Sequence, residues 1–228
     1  MRGGIDLKLI FLHGSGGSVS KWRLIKKHLE NPADFLPLHE LQQGPDVTIS
    51  DYAESVKKHL EEETVVCGHS MGGLIALELM DHPLVKGVVL LSSHTELPVH
   101  PKILQQLASG TYPEGLLRAM FAEETGSELL EEERERLKSV SLKKTYKDFA
   151  ACDSYKEGAA KLRGSQTPLL AVYGTGEKLL PQGAEGNLRG VYPAAAIKKI
   201  PAAGHDVMLE QPEKTAEAVN RFVKSVEK

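Results

Sequence analysis

Two cysteines in 228 residues are too few to staple a fold, which excludes a disulfide scaffold. No single-sign charge excess is present. Lys and Arg number 28 against 31 Asp and Glu, a net charge of −3. This balance argues against nucleic acid or a membrane surface as partner. No apolar run can span a bilayer, since the longest weakly polar stretch, residues 64–77, is broken by His69 and Ser70. No signal peptide is expected, because Lys8 and His13 break or bound the short apolar run 7–12 and no small-residue cleavage site follows. The default expectation is therefore a cytoplasmic protein with Cys67 and Cys152 as free thiols, Cys67 buried in the run Val65-Val66-Cys67. Internal repeats and low-complexity tracts are also lacking.

What remains is an ordinary composition, 41% hydrophobic and 26% charged, in a length that favours one domain with an insertion. A chain of this size buries about 70% of its unfolded surface and needs neither disulfide nor metal to hold a core. Short apolar runs at 7–12, 35–38, 64–67, 87–91, 168–173 and 196–200 read as strands. Helical patterns at about 19–30, 50–62, 71–81 and 213–226 lie between or after them, with Pro212 placed to open the last. Strand–helix alternation of this kind predicts an α/β fold around a mostly parallel sheet of about six strands, with right-handed crossovers. Lys198 and Lys199 put the final strand near an edge. Residues 95–161 break the rhythm. They are helical in pattern and carry a charged stretch at 122–138, which reads as a solvated helix face. We expect a core of residues 1–94 and 162–228 with a helical cap at 95–161, over the carboxyl ends of the strands where open sheets bind ligands.

The sharpest motif is Gly68-His69-Ser70-Met71-Gly72, followed by Gly73. It joins a strand to a helix, the context in which G-x-S-x-G exposes a nucleophilic serine on a tight turn. Side chains at the glycines would collide with the adjoining elements. The helix N-terminus puts positive potential beside the serine oxygen. Directly after the first strand comes Leu12-His13-Gly14-Ser15-Gly16-Gly17. Such a turn can aim a backbone N–H at a developing oxyanion, and we assign Ser15 as one donor and Met71 as the other. Phosphate-cradle readings fail, because Val19 and Ser20 stand where a P-loop needs Lys-Ser/Thr and a dinucleotide loop needs glycine.

A serine nucleophile needs a base, and the base needs an orienting carboxylate. His205, in Ala203-Gly204-His205-Asp206, follows the last strand and shares the carboxyl edge of the sheet with Ser70. His13 is read as shaping its loop, and His69 as pointing away from the nucleophile it adjoins. Glu177 is the candidate acid, in the loop after the strand 168–173, with Asp153 and Asp206 as rivals. In the insertion, Leu116, Leu117, Met120 and Phe121 either line the pocket or pack the cap, and Met120 and Phe121 are the pocket candidates.

These segments, with Tyr173 through Pro181 and the run Ala203 through Pro212, make the chain resemble an α/β-hydrolase over residues 7–226. The return from cap to core, 149–162, is similar to that of small bacterial esterases, enol-lactonases and carbon–carbon hydrolases. The resemblance implies a triad of Ser70, Glu177 and His205 and acyl transfer on a small-molecule ester, with no cofactor or metal. The same triad would serve an enol-lactonase or a carbon–carbon hydrolase or lyase, and a non-catalytic receptor on this fold is the remaining alternative. Aspartate where Ser70 stands would be needed for dehalogenase or epoxide-hydrolase chemistry. The chain departs from the family at three points. Glutamate replaces the usual aspartate at 177. Only six residues precede Leu7, so the sheet is expected to lack one or two strands. The loop at 39–46 differs from its relatives' order of residues.

Overall fold

A computed structural model describes residues 7–41, 44 and 46–227. The six strands are β1 (Lys8–Leu12), β2 (Ala33–Leu36), β3 (Thr64–His69), β4 (Val85–Leu91), β5 (Leu169–Gly174) and β6 (Ala196–Ile200). They form one sheet, ordered β2-β1-β3-β4-β5-β6, with every neighbouring pair parallel. Each expected strand is present within two or three residues of its run. The described strands begin at β1, and residues 1–6 lie outside the description.

Period-two alternation divides the strand side chains between two cores. Ile10, Leu12, Val66, Val88, Leu90, Ala171 and Tyr173 face one cluster. Leu9, Phe11, Val65, Cys67, Val89, Leu91, Leu170 and Val172 face the other. The sheet is thus covered on both faces, which is why its central runs are nearly continuous in apolar residues. β6 lies at the edge, with Lys198 and Lys199 exposed.

The helices are α1 (Leu38–Leu41), α2 (Ile49–Lys57), α3 (Met71–Leu79), α4 (Pro101–Ala108), α5 (Glu114–Ala119), α6 (Ser127–Lys138), α7 (Leu142–Ser154), α8 (Gly158–Gly164), α9 (Ala184–Val191), α10 (Val207–Glu210) and α11 (Pro212–Val226). α2, α3, α8 and α9 bury their apolar sides in the first core, and α10 and α11 in the second. Thr48 caps α2, accepting from Asp51 N–H while the Asp51 carboxylate accepts from Thr48 N–H. The helix expected at 19–30 is instead two 3₁₀ turns, Val19–Trp22 and Lys26–His28. Lys21, Trp22 and Ile25 of this segment are buried. Trp22 packs on Phe11, ring centroids 4.9 Å apart, while Lys21 enters an ionic cluster. α9 escaped the sequence pattern because Gly183, Gly186 and Gly190 dilute its helical signal.

Between β4 and β5 the chain inserts α4 to α7, and α4 packs along α7. α8, which straddles residue 161, packs on α3 with the core helices. The insertion returns to the sheet edge at Met120, whose carbonyl accepts the N–H groups of His205 (2.7 Å) and Asp206 (3.2 Å). A side chain at Gly204 would strike this segment, with Ala122 N at 2.7 Å from its Cβ. Glu210 adds a second clamp by accepting from Ala122 N–H (2.8 Å), Gly204 N–H (2.7 Å) and the Thr125 hydroxyl. Among the described residues, no helix is long and apolar enough to cross a membrane.

Candidate active site

Ser70 stands between β3 and α3 with φ 50° and ψ −119°, a backbone conformation that L-residues rarely adopt. Its surroundings hold it there. Ser70 N–H donates to Leu91 O (3.0 Å), and Ser70 O accepts from Ser93 Oγ and Gly73 N–H, each at 2.8 Å. The glycines around it are required by close approach. A Cβ on Gly68 would lie 2.1 Å from Gly72 O, and one on Gly72 would lie 2.1 Å from Leu12 O. The first glycine lets β3 and α3 meet, and the second lets α3 meet the loop after β1. A short sequence pattern therefore encodes a three-element junction with the serine at its apex.

His205 and Glu177 reach the same edge from the loops after β6 and β5. His205 Nδ1 lies 2.9 Å from Glu177 Oε2, and Glu177 Oε1 accepts the Leu179 N–H at 2.7 Å. Burial of Glu177 opposes its ionisation, but the charge and hydrogen bond of His205 and the Leu179 N–H outweigh it and hold its pKa down to about 2. Burial likewise works against a charged His205, and the Glu177 carboxylate, with Asp206 behind it, raises the imidazole above its ordinary value of 6.5. The rival carboxylates are engaged elsewhere. Asp153 accepts Val99 N–H at 2.9 Å. Asp206 points down from the loop to Lys21, 2.7 Å away.

The loop after β1 is shaped by His13, whose Nδ1 lies 2.9 Å from Gly14 O while its Nε2 accepts Leu38 N–H at 3.2 Å. Burial lowers this histidine to about 4, so it stays neutral at physiological pH. Gly16 N–H and Gly17 N–H are taken by Asp148 and Gly14 O. The Ser15 N–H has no acceptor among the described residues. Met71 is the first residue of α3, and its N–H precedes the helix's own ladder of hydrogen bonds.

Two chambers meet at Ser70 and His205. One, of about 40 Å³, is lined by Gly14, Gly17, Lys21, His69, Tyr112 and Met120. The other, of about 220 Å³, runs between Leu97, Val99, Ile103, Cys152, Lys178 and Pro181. Ser15, Leu116, Phe149 and Leu179 border both. Met120 lines the smaller chamber. Phe121, its neighbour, is fully buried and lines neither chamber. A separate groove of about 320 Å³ lies between β6 and α11 and carries none of the groups described above.

Sequence reasoning missed the floor of the site. Lys21 Nζ is buried 2.7 Å from both Asp206 and Glu133, and Arg23 lies 2.8 Å from Glu133. Burial disfavours the Lys21 charge, but the two carboxylates reverse that and raise its pKa. Glu133 comes from α6, in the stretch read as a solvated face, and is 2% exposed there. His69 fills the space between, its Nε2 3.1 Å from His205 O. Burial, followed by the charges of His205 and Lys21, keeps it neutral. Of the wall residues, Phe149 and Leu179 lie in segments that resemble the family but were not singled out, and Tyr112 carried no local signal. Among the described residues, no group of three His, Cys, Asp or Glu side chains converges as a set of metal ligands.

Comparison with known proteins bears on the family and the fold. The model of an alpha/beta hydrolase family matches residues 9–218. A pimeloyl-[acyl-carrier protein] methyl ester esterase of Yersinia enterocolitica is 25% identical over 241 residues, covering 95% of this chain and 93% of its own. A lipase-esterase related protein from Clostridium acetobutylicum superposes with a TM-score of 0.83 at 21% identity, over 95% of this chain and 94% of that one. The enol-lactonase from Burkholderia xenovorans does so with a TM-score of 0.85 at 17% identity, over 98% and 94%.

Proposed function

The chain belongs to the alpha/beta hydrolase family, and from that premise we propose that it is a serine carboxylesterase acting through an acyl-enzyme. The observation that carries this reading is the convergence of a strained serine, a buried His–Glu pair and a spare backbone N–H on one two-chambered cavity. In the proposed reaction His205 takes the hydroxyl proton of Ser70 as Oγ adds to the ester carbonyl carbon. Glu177 holds the imidazole ring and stabilises it once charged. The N–H groups of Ser15 and Met71 receive the oxyanion, each worth roughly 3 kcal/mol. The alkoxide leaves with the proton from His205. Water, deprotonated by the same histidine, then releases the acid and restores Ser70. No step calls on a cofactor or metal ion.

The chambers suggest how the ester divides. At about 12 Å³ for each water-sized group, the 40 Å³ chamber admits roughly three heavy atoms and suits a methyl or ethyl alcohol group. The 220 Å³ chamber, walled by Leu97, Pro98, Val99, Ile103 and Phe149, suits an acyl chain. The methyl ester named for the Yersinia enterocolitica relative fits this division. Residues 95–161 act in this reading as a cap, since Tyr112, Leu116, Met120, Phe149 and Cys152 supply the cavity's outer wall.

A panel of p-nitrophenyl, methyl, ethyl and butyl esters of rising acyl length, with lactones and thioesters alongside, tests this. Turnover of short-alcohol esters that vanishes in Ser70→Ala supports the reading. Absence of ester turnover across the panel refutes it.

A further inference from the structure

One face of α7 lies along the loop after β1. Thr145, Asp148, Phe149 and Cys152 are spaced to share that face, and each meets the loop or the cavity it borders. Gly16 has φ +62°, and a Cβ there would come within 2.7 Å of Thr145 Cγ2. Cys152 Sγ lies 3.4 Å from Ser15 Oγ. Phe149 walls both chambers. Between them Asp148 is fully buried and, among its contacts, meets Gly16, His39 and Tyr52. Its Oδ2 accepts Gly16 N–H at 3.0 Å and lies 2.8 Å from His39 Nε2, and its Oδ1 accepts the Tyr52 hydroxyl at 2.6 Å.

We propose that Asp148 is a positioning residue for the oxyanion, fixing the Ser15 N–H by holding the next peptide of the loop. The proposal rests on the serine-esterase reading. Of the loop's other hydrogen bonds, Gly17 N–H and His13 Nδ1 to Gly14 O close within the loop, His13 Nε2 accepts Leu38 N–H from the segment after β2, and only the Ser15 hydroxyl, through Cys152 Sγ, also reaches α7. The bond to Asp148 ties it to a different element, one that belongs to the insertion. His39 and Tyr52, from the segments after β2 and in α2, brace the carboxylate from the far side, so it cannot follow the loop if the loop moves. Oxyanion donors act through preorganisation, and their contribution falls steeply when they are displaced by even an ångström. A charged acceptor makes the stronger bond to the N–H. The seating of α7 and the assembly of the oxyanion site thereby become one event. A chain in which the insertion lifts away would keep its Ser–His–Glu groups and lose its donor.

The test uses the full chain and p-nitrophenyl butyrate, with active sites counted by fluorophosphonate titration so that only folded enzyme enters kcat. Asp148→Leu keeps the branched shape and heavy-atom count and removes the acceptor. It is expected to lower kcat on the order of 10²-fold with KM within about threefold. Asp148→Asn, which retains an oxygen for Gly16 N–H, is expected to recover to within about tenfold of the parent, and Tyr52→Phe, which removes one brace, to lose less than Asp148→Leu. A titratable Asp148→Leu enzyme with kcat within about threefold of the parent overturns the proposal, as does a loss that appears in KM alone. Should Asp148→Leu not fold, amide hydrogen exchange in the parent protein decides. Slow exchange at Gly16 supports the tether, and exchange at the rate of an open loop overturns it. Parent protein with neither turnover nor labelling would refute the esterase reading itself, and the exchange measurement would still report whether the loop is held.

Discussion

His205 Nδ1 and Glu177 Oε2 lie 2.9 Å apart, and the second oxygen of Glu177 is held by the Leu179 N–H at 2.7 Å. The carboxylate is thus anchored to its own loop while it orients the imidazole. In the proposed triad, this double engagement is how a glutamate would take the place of the family's usual aspartate.

Glu177→Gln should therefore lower kcat/KM by about 10³–10⁴. Glu177→Asp cannot reach both His205 and Leu179 N–H from the same backbone, and an intermediate loss of about 10- to 100-fold is expected. Asp153→Asn, whose parent side chain caps Val99 N–H, should stay within about threefold. Steady-state kinetics on one ester compares all three.

The same pair sets a pH dependence. In the proposed mechanism His205 must be neutral to accept the Ser70 proton. Burial favours the neutral ring, but Glu177 and Asp206 more than offset this and raise its pKa. The kcat/KM profile should accordingly rise with pH through a midpoint above 6.5, and that midpoint should fall in whatever activity Glu177→Gln retains. Glu177 itself has a lowered folded pKa, so its contribution to stability is present above pH about 4.5 and is lost as pH falls towards about 2. The difference in thermal stability between parent and Glu177→Gln should shrink across that window.

Met120 and Phe121 should behave as opposites despite adjacency. Met120→Ala enlarges the smaller chamber and is expected to raise the butyl-to-methyl ratio of kcat/KM about tenfold, given roughly 0.8 kcal/mol for each methylene that gains a berth. Phe121→Ala removes a fully buried ring and should cost about 3–5 kcal/mol of stability with no such shift in selectivity. An alcohol-length series combined with denaturant unfolding separates them.

Lys21→Met should destabilise the protein by about 3–5 kcal/mol, because Asp206 and Glu133 would remain buried without their shared cation. Unfolding in urea reads the loss. Lys21→Met combined with Glu133→Gln, which removes one of the stranded charges, should recover part of it.

How much of this could be read from the chain follows from what makes a signal local. Gly68, Ser70 and Gly72 announce themselves because one junction forces all three within five positions, and the apolar runs that became β1, β3, β4 and β5 announce a sheet covered on both faces. Glu177 and His205 were legible as residues just past strand ends, where the topology brings loops to one edge. Asp148 was not legible, because its partners Gly16, Tyr52 and His39 lie about a hundred or more residues away and nothing local distinguishes it from a solvated helical aspartate. Glu133 was misread for the same reason. Its stretch is rich in charge, and only the tertiary fold shows that one of those charges faces inward to Lys21 and Arg23. The pattern at 19–30 reads as one helix and is two 3₁₀ turns, since Lys21 and Trp22 are drawn to an ionic cluster and an aromatic core by contacts formed far along the chain.

The central claim is that Ser70 is the nucleophile, and the most direct measurement is mass-spectrometric mapping of the adduct formed with a fluorophosphonate. The account predicts a single modification on the peptide carrying Ser70, formed at a rate that falls on Glu177→Gln and absent in Ser70→Ala. An unmodified Ser70 in protein that hydrolyses esters, or an adduct that persists in Ser70→Ala, would contradict it.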